Sequence, residues 1–401
     1  MADVRVIELE EYQEKRLPES QLSADVAMEL YHRCSSWLDI EFPTAVNDRC
    51  YVLRPRDFVG HFPVSKDLLL RVSPKVPIGN LFRMLEYAYN LKSFQFLHGE
   101  TACDSLDDLF ERLASILAKR VLDRLRRGLF RDYIDNEEHL PYVRGRICVL
   151  PSVRAGMRGS TRLVCDYQDH TADLEDNQIL VATLYRLPRV GIKRRDVRRQ
   201  VRHAYRGLVG AVEVRPVCGA DCVNRTYHRL NEDYKPMHAL CRFFLDAYGP
   251  DEGGGDREFI PYSLRMSQLF ELFVANWLTE NLPPHLHIEP HCNAGTDEHG
   301  RFIFDIDLVL RDARTGNAIA VLDTKYKRDS RPGTSDVQQV VAYATTLRTD
   351  RAFLIYPSTE TRSEEFAAGD VRVRSLTFDT SKEPALSGAI FLSSLTGHMS
   401  R

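Results

Sequence analysis

The sequence predicts a multidomain α/β protein: a β-rich N-terminal domain (1–90), a mainly helical middle region (91–255) and a C-terminal domain (256–401) built on a mixed sheet flanked by helices. Three observations carry this reading. A chain of 401 residues exceeds one ordinary core and suffices for about two or three. Short extended runs dominate its start, helical periodicities its middle, and strands alternating with helix its end. A glycine-rich loop, Gly249 to Asp256, separates the last two regions, because three consecutive glycines weaken any regular element placed there.

In the first region Val4 to Leu9, Cys50 to Arg54 and Leu68 to Val72 read as strands, ending at Pro74-Lys75-Val76-Pro77. Apolar residues at helical spacing then begin at Ile78 (Leu81, Met84, Leu85, Ala88) and run again from Leu106 to Leu129. Further helices are expected over Glu175 to Leu187, Pro236 to Tyr248 and Ser263 to Glu280. Beyond these, Arg301 to Arg311 and Ala318 to Lys325 read as strands, Asp336 to Leu347 as a helix and Ala352 to Tyr356 as a strand.

Hydrophobic residues at 43% and charged residues at 28% describe a soluble globular chain rather than a disordered one. No apolar run approaches the roughly 18 residues that cross a bilayer, and the first residues form no signal-peptide core, so a cytoplasmic chain with no membrane partner is expected. Nine cysteines without framework spacing argue for reduced thiols. Cys218 and Cys222, with His228, His238 and Cys241 after them, could supply zinc ligands, although their spacing is irregular. A net charge of −3 gives no global attraction to nucleic acid. One stretch departs from that balance: Arg186 to Arg206, with Arg194, Arg195, Arg198 and Arg199 at its centre. It reads either as a phosphate-binding surface for double-stranded DNA or as a solvated helix face with Val197, Val201 and Leu208 turned inward.

The residues that point to chemistry lie near the C-terminus. Phe302 to Leu310 is too apolar for a surface strand, so Asp305 and Asp307 sit on or beside a buried element, which demands compensation. In the next strand five apolar residues run into Asp323-Thr324-Lys325, and alternation puts Asp323 and Lys325 on one face. Two carboxylates and an ammonium at neighbouring strand ends suit one or two Mg²⁺ ions, with Mn²⁺ a possible substitute, and an activated water. A second triplet, Asp233-Tyr234-Lys235, has no apolar run before it and lies ahead of a helix. Glu271 is a carboxylate on a helix apolar nearly all round, so it needs a partner: a metal or a buried ion pair. Gln339 and Tyr343, four apart, share a helix face and could orient Lys325 or meet a phosphate.

Taken in order, Glu271, Asp307, Asp323-Thr324-Lys325 and Gln339-Val340-Val341-Ala342-Tyr343 resemble PD-(D/E)xK nucleases with a Q-x-x-x-Y helix, although Ile306 stands where the family often has proline. Arg126-Arg127-Gly128-Leu129-Phe130-Arg131-Asp132-Tyr133, Arg144-Gly145-Arg146-Ile147, Asp176-Asn177-Gln178-Ile179-Leu180 and Val72-Ser73-Pro74-Lys75-Val76 narrow the resemblance to the McrC family, over roughly residues 50 to 360. That resemblance implies an endodeoxyribonuclease subunit of a McrBC-type restriction system with Asp307, Asp323 and Lys325 catalytic. It also implies that Asp307, Asp323 and Glu271 bind metal and that Gln339 and Tyr343 are auxiliary. The implied partner is an McrB-like AAA+ GTPase hexamer, engaged through the N-terminal domain. The chain has no Gly-Lys dipeptide and hence no ordinary Walker A loop, so no nucleotide is expected on it. Two rivals remain: an adaptor that activates the motor without cutting, and a DNA-binding regulator that uses the arginine stretch.

Overall fold

A computed structural model describes residues 5–65, 68–91, 105–189, 192–247, 262–295, 303–327, 331–358 and 363–397. The glycine-rich loop between residues 249 and 256 lies outside them. The chain divides into two compact units, Met1–Asp108 with Ala247–Arg401, and Leu109–Asp246.

The first stretch of the larger unit runs β1 (Arg5–Glu10), β2 (Lys15–Pro18), α1 (Ala24–Cys34), β3 (Leu38–Glu41), β4 (Cys50–Pro55), β5 (Phe58–Ser65), β6 (Leu68–Ser73) and α2 (Ile78–Ala88). Strands β2, β4 and β3 form a small antiparallel sheet. In β6, Leu68, Leu70 and Val72 are buried while Leu69 and Arg71 are less so, the alternation expected of a half-buried strand. It pairs parallel with β1 and antiparallel with β5. Helix α2 buries Leu81, Met84, Leu85 and Ala88, the face its sequence periodicity marks.

The smaller unit holds most of α3 (Leu106–Arg127), then β7 (Asp132–Leu140), β8 (Arg146–Ile147), α4 (Val149–Met157), β9 (Leu163–Thr171), α5 (Glu175–Arg186), α6 (Arg195–Leu208) and most of α7 (Tyr234–Ala247). Helices α3, α5 and α7 were anticipated and α6 fits the helix-face reading of the arginine stretch; α4 and the antiparallel sheet, in the order β7, β9, β8, were not anticipated. Strand β7 is almost wholly exposed and polar, so it carries no alternation to read. Gly145 turns the chain into β8 at φ +67°, and a Cβ there would stand 2.4 Å from the Asp166 carbonyl oxygen, which explains a glycine between Arg144 and Arg146. Asn177 is completely buried: its amide donates to the carbonyls of Phe130 (2.9 Å) and Ala172 (2.7 Å) and accepts from the Tyr234 hydroxyl (2.7 Å). That hydroxyl in turn accepts from the Phe130 amide at 3.0 Å. Two of the motifs that carry the family resemblance, around Phe130 and Asn177, therefore lock the smaller unit's own backbone.

The larger unit resumes with β10 (Tyr262–Arg265), α8 (Met266–Asn281), β11 (Leu286–Gly295), β12 (Ile303–Asp312), β13 (Ala318–Thr324), α9 (Thr334–Thr346), β14 (Arg351–Pro357), β15 (Glu365–Ala368), β16 (Val371–Phe378) and α10 (Pro384–Thr396). The sequence places a helix start at Ser263; instead residues 262–265 are a strand, because β10 pairs antiparallel with β5, from Tyr262 opposite His61 to Arg265 opposite Phe58. A remote partner overrides local helix propensity here. The main-chain sheet β1-β6-β5-β10 thus joins stretches that sequence alone assigns to separate 1–90 and 256–401 domains. The second large sheet runs β11-β12-β13-β14-β16-β15, with β13, β14 and β16 mutually parallel and the outer pairs antiparallel. Val340, Tyr343 and Ala344 of α9 pack on Val309, Val321, Leu354 and Val373 of this sheet. Trp277 of α8 meets Phe391 of α10 and Phe378 edge-on, and the two phenylalanines pack at a tilt. Among the described residues no helix is long and apolar enough to cross a membrane.

Candidate active site

Strands β12 and β13 pair with Leu308 opposite Leu322, a register that sets Asp307 opposite Asp323 one step on. Like charges directly opposite on a sheet repel, so the arrangement needs a reason beyond stability. Asp307 is held in place: its Oδ2 accepts from the Thr324 amide at 2.9 Å and the Thr324 hydroxyl at 3.1 Å. Asp305, one pleat away, is exposed. Asp323 is 0% exposed. The Lys325 ammonium stands 2.7 Å from its Oδ2, yet neither carboxylate oxygen accepts an aligned hydrogen bond among the described residues. The ion pair is thus close but poorly directed.

Burial above all, and then Asp307, push the Asp323 carboxyl up to about 7 against the opposing pull of Lys325. Glu271 is likewise pushed up to about 7, by burial first and then by Asp307, Asp305 and Asp323. Burial works against the Lys325 ammonium, but Asp323 and Asp307 more than offset it and hold its pKa above the ordinary lysine value. Lys325 also donates to Gln339 Oε1 at 3.0 Å, and the Gln339 amide donates to the Tyr343 hydroxyl at 2.6 Å. Helix α9 therefore holds the lysine through a relay of two side chains.

All six C-terminal residues singled out from sequence, Glu271, Asp307, Asp323, Lys325, Gln339 and Tyr343, share this one site. Sequence reasoning passed over His291, whose ring nitrogen is 3.4 Å from Glu271 Oε1. A lone histidine in a strand offers no spacing to notice; only its left-handed backbone, φ 51°, sets it apart. Among the described residues no three His, Cys, Asp or Glu side chains already close on a single metal position. Even so, the buried carboxylate of Asp323 and the carboxylates of Asp307 and Glu271 are hard oxygen donors of the type that fits Mg²⁺ or Mn²⁺.

The other candidates fall elsewhere. Asp233 of the second triplet is paired with Arg124 at 3.2 Å, and Tyr234 is buried in the Asn177 network. His238 has both ring nitrogens engaged, with the Tyr227 hydroxyl and the Asp176 carbonyl, each at 2.9 Å, so it is not presented to a zinc ion shared with Cys218 and Cys222. The four central arginines separate into different roles. Arg194 pairs with Asp196 at 2.7 Å, and Arg198 donates to the Ile192 carbonyl, whereas Arg195 and Arg199 are exposed on α6. With Arg202 and Arg206, also exposed, these last two form one stripe opposite buried Val197, Val201, Ala204 and Leu208.

The fold and site define an α/β protein whose mixed sheet carries opposed carboxylates and a lysine. Over residues 53–357 the chain matches the McrBC 5-methylcytosine restriction system component family, and it belongs to that family. It is 23% identical over 315 residues to the type IV methyl-directed restriction enzyme EcoKMcrBC of Escherichia coli (strain K12), across 72% of this chain and 88% of that one. Its fold is similar to a chain of the half-complex of Thermococcus gammatolerans McrB AAA+ hexamers with bound McrC, at a TM-score of 0.55 and 18% identity, covering 98% of this chain and 100% of that one.

Proposed function

We propose that this chain is the DNA-cutting subunit of a McrBC-type restriction complex, a PD-(D/E)xK endodeoxyribonuclease dependent on Mg²⁺ that acts with a hexameric McrB-like AAA+ GTPase. One observation carries the reading: Asp323 is wholly buried opposite Asp307, and its carboxyl stays pushed up to about 7 although the Lys325 ammonium lies 2.7 Å away, an excess of negative charge that a bound cation would relieve. The partner rests on the family match and on the AAA+ hexamers named with the similar fold.

Asp307, Asp323 and Glu271 would hold the metal, which when bound supplies Lewis acidity toward a phosphodiester oxygen and a water. Asp307 enters pre-oriented by Thr324, whose amide and hydroxyl both bind its Oδ2. Lys325, kept protonated by the two aspartates and aimed by Gln339, offsets the negative charge that grows on the scissile phosphate. An adaptor that only activates a motor requires none of these groups, and a DNA-binding regulator leaves the opposed aspartates without a purpose. Nicking of plasmid DNA by the full complex tests the reading: Asp323→Ala and Lys325→Ala should each abolish Mg²⁺-dependent cutting while stimulation of partner GTP hydrolysis persists. Full cutting by either variant would overturn it.

A further inference from the structure

Lys325 is followed directly by Tyr326 and Lys327, and both are gripped by residues from the other end of the chain. The Tyr326 hydroxyl donates to Glu11 Oε2 at 3.0 Å, just past the end of β1. The Lys75 ammonium, just past the end of β6, donates to the Lys327 carbonyl at 2.8 Å and lies 4.2 Å from the centre of the Tyr326 ring. The Lys75 amide reaches back to Glu11 Oε2 at 3.3 Å, and the Tyr12 hydroxyl donates to the Tyr326 carbonyl at 2.9 Å. Glu11 is 1% exposed and Tyr326 5%. A buried carboxylate, a half-buried ammonium and a buried tyrosine, the tyrosine more than 250 residues from the other two in sequence, make a costly way to hold a loop unless its position matters.

The same sheet reaches the site a second way. Its far strand, β10, passes straight into α8, whose first amide donates to the Asp57 carbonyl at 2.7 Å, and α8 carries Glu271. Phe270, next to Glu271, meets the Tyr326 ring at 6.2 Å between centroids. Both the carboxylate helix and the segment behind the lysine are therefore anchored on β1-β6-β5-β10. On the distal side the Lys327 ammonium is 2.7 Å from both oxygens of Asp336, at the start of α9, which carries Gln339.

We propose that Glu11, Lys75 and Tyr326 are positioning residues for Lys325, forming a clamp by which the N-terminal sheet completes the cleavage site. The proposal rests on the nuclease reading above and goes beyond it, since it makes the N-terminal sheet part of the cutting apparatus. The clamp fixes the backbone on the C-terminal side of Lys325, while the Lys325 amide, donating to the Ile355 carbonyl at 2.8 Å, fixes the other. Released from Lys75 and Glu11, the segment would move and carry the ammonium off the position set by Asp323 and Gln339.

The test uses the full chain with its AAA+ partner and measures three quantities: single-turnover cutting at saturating DNA, DNA affinity, and amide hydrogen exchange at Lys325 and Tyr326. Lys75→Met keeps the stem and removes the donor, and it should slow cutting roughly 10- to 100-fold, the scale of a small misplacement of a catalytic group. DNA affinity and GTPase stimulation should stay within about twofold, as expected when only the chemical step is touched. Exchange at Lys325 and Tyr326 should quicken while α9 keeps its protection. Glu11→Gln, which retains an acceptor, should keep most of the rate that Glu11→Ala loses. If Lys75→Met fails to fold, Tyr326→Phe, which removes a single oxygen, decides by the same readouts. Wild-type cutting, or unchanged exchange at Lys325, in the variant that decides would overturn the clamp. Should Asp323→Ala cut normally, the nuclease reading fails, and the exchange data still decide whether the clamp holds this segment.

Discussion

Replacing Asp323 with asparagine should stabilise the metal-free protein at high pH while destroying its activity. The Asp323 carboxyl is pushed from 3.8 to about 7, chiefly by burial. A carboxyl whose folded pKa lies above its unfolded value binds its proton more tightly in the folded chain. Its contribution is therefore fully present below about pH 4 and is lost as pH rises through about 7. Asparagine carries no charge at any pH and escapes that loss. At about 1.4 kcal/mol per unit, three units set a ceiling of ~4 kcal/mol. Lys325, 17% exposed, loses its ion-pair partner in the variant, and water penetration softens burial, so a net gain of ~1–3 kcal/mol is expected at pH 8. For a unit of this size that is a rise in Tm of about 2–8 °C. Calorimetry in a chelator should show this gain at pH 8 and almost none at pH 4. Saturating Mg²⁺ should reduce or reverse it, because only the wild type gains by binding. A variant less stable than wild type at pH 8 in chelator, or one whose gain does not depend on pH, would refute the assignment of Asp323 as a carboxylate whose burial Lys325 only partly offsets.

Other consequences are equally direct. Asp233→Ala and Lys235→Ala should leave plasmid nicking at the wild-type rate, since Asp233 serves Arg124; loss of nicking at normal Tm would reopen that triplet as a site. Changing Arg195, Arg199, Arg202 and Arg206 together to glutamine should lower the logarithmic salt slope of DNA binding by ~3–4 units, at about 0.9 per phosphate contact. Changing Arg194 and Arg198 should do less, because Asp196 and the Ile192 carbonyl already engage them, and an unchanged slope in the stripe variant would make α6 a solvated or protein-binding face. Deleting residues 1–90 should abolish cutting as well as motor contact, because β10 would lose β5 and Tyr326 would lose Glu11 and Lys75. A truncated chain that still cut DNA at the full rate would contradict this.

The core of the site was legible because it obeys local rules. An apolar run ending in Asp323-Thr324-Lys325 gives both the strand and its register, and β13 spans Ala318–Thr324, within one residue of expectation. Gln339 and Tyr343, four apart on α9, likewise act together on Lys325. What stayed hidden depends on partners far away in sequence. Residues 262–265 look helical until β5 is there to pair with them. Strand β7 is too exposed to show a pattern, and α4 buries none of its residues although it contains Val149, Leu150, Val153 and Met157. No spacing rule connects Lys75 with Lys327, or Glu11 with Tyr326.

The division of the chain has the same physical origin. The proline-flanked stretch at residues 74–77 reads in sequence as the end of the strand-rich region before the helices beyond it, since proline removes a donor and restricts the residue before it. In the fold that stretch is pinned: the amide of Lys75 goes to Glu11 and its ammonium to the Lys327 carbonyl. Asn276 of α8 donates to the carbonyls of Tyr87 and Ala88 at the end of α2, satisfying acceptors that a helix terminus otherwise leaves open. Main-chain pairing, helix capping and buried side-chain bonds thus all run between residues 5–91 and residues 262–327. Interactions of these three kinds are lost together when either partner is removed. Cutting the chain near residue 90 would therefore leave open strand edges and an unpaired buried Tyr326 hydroxyl rather than a free-standing nuclease.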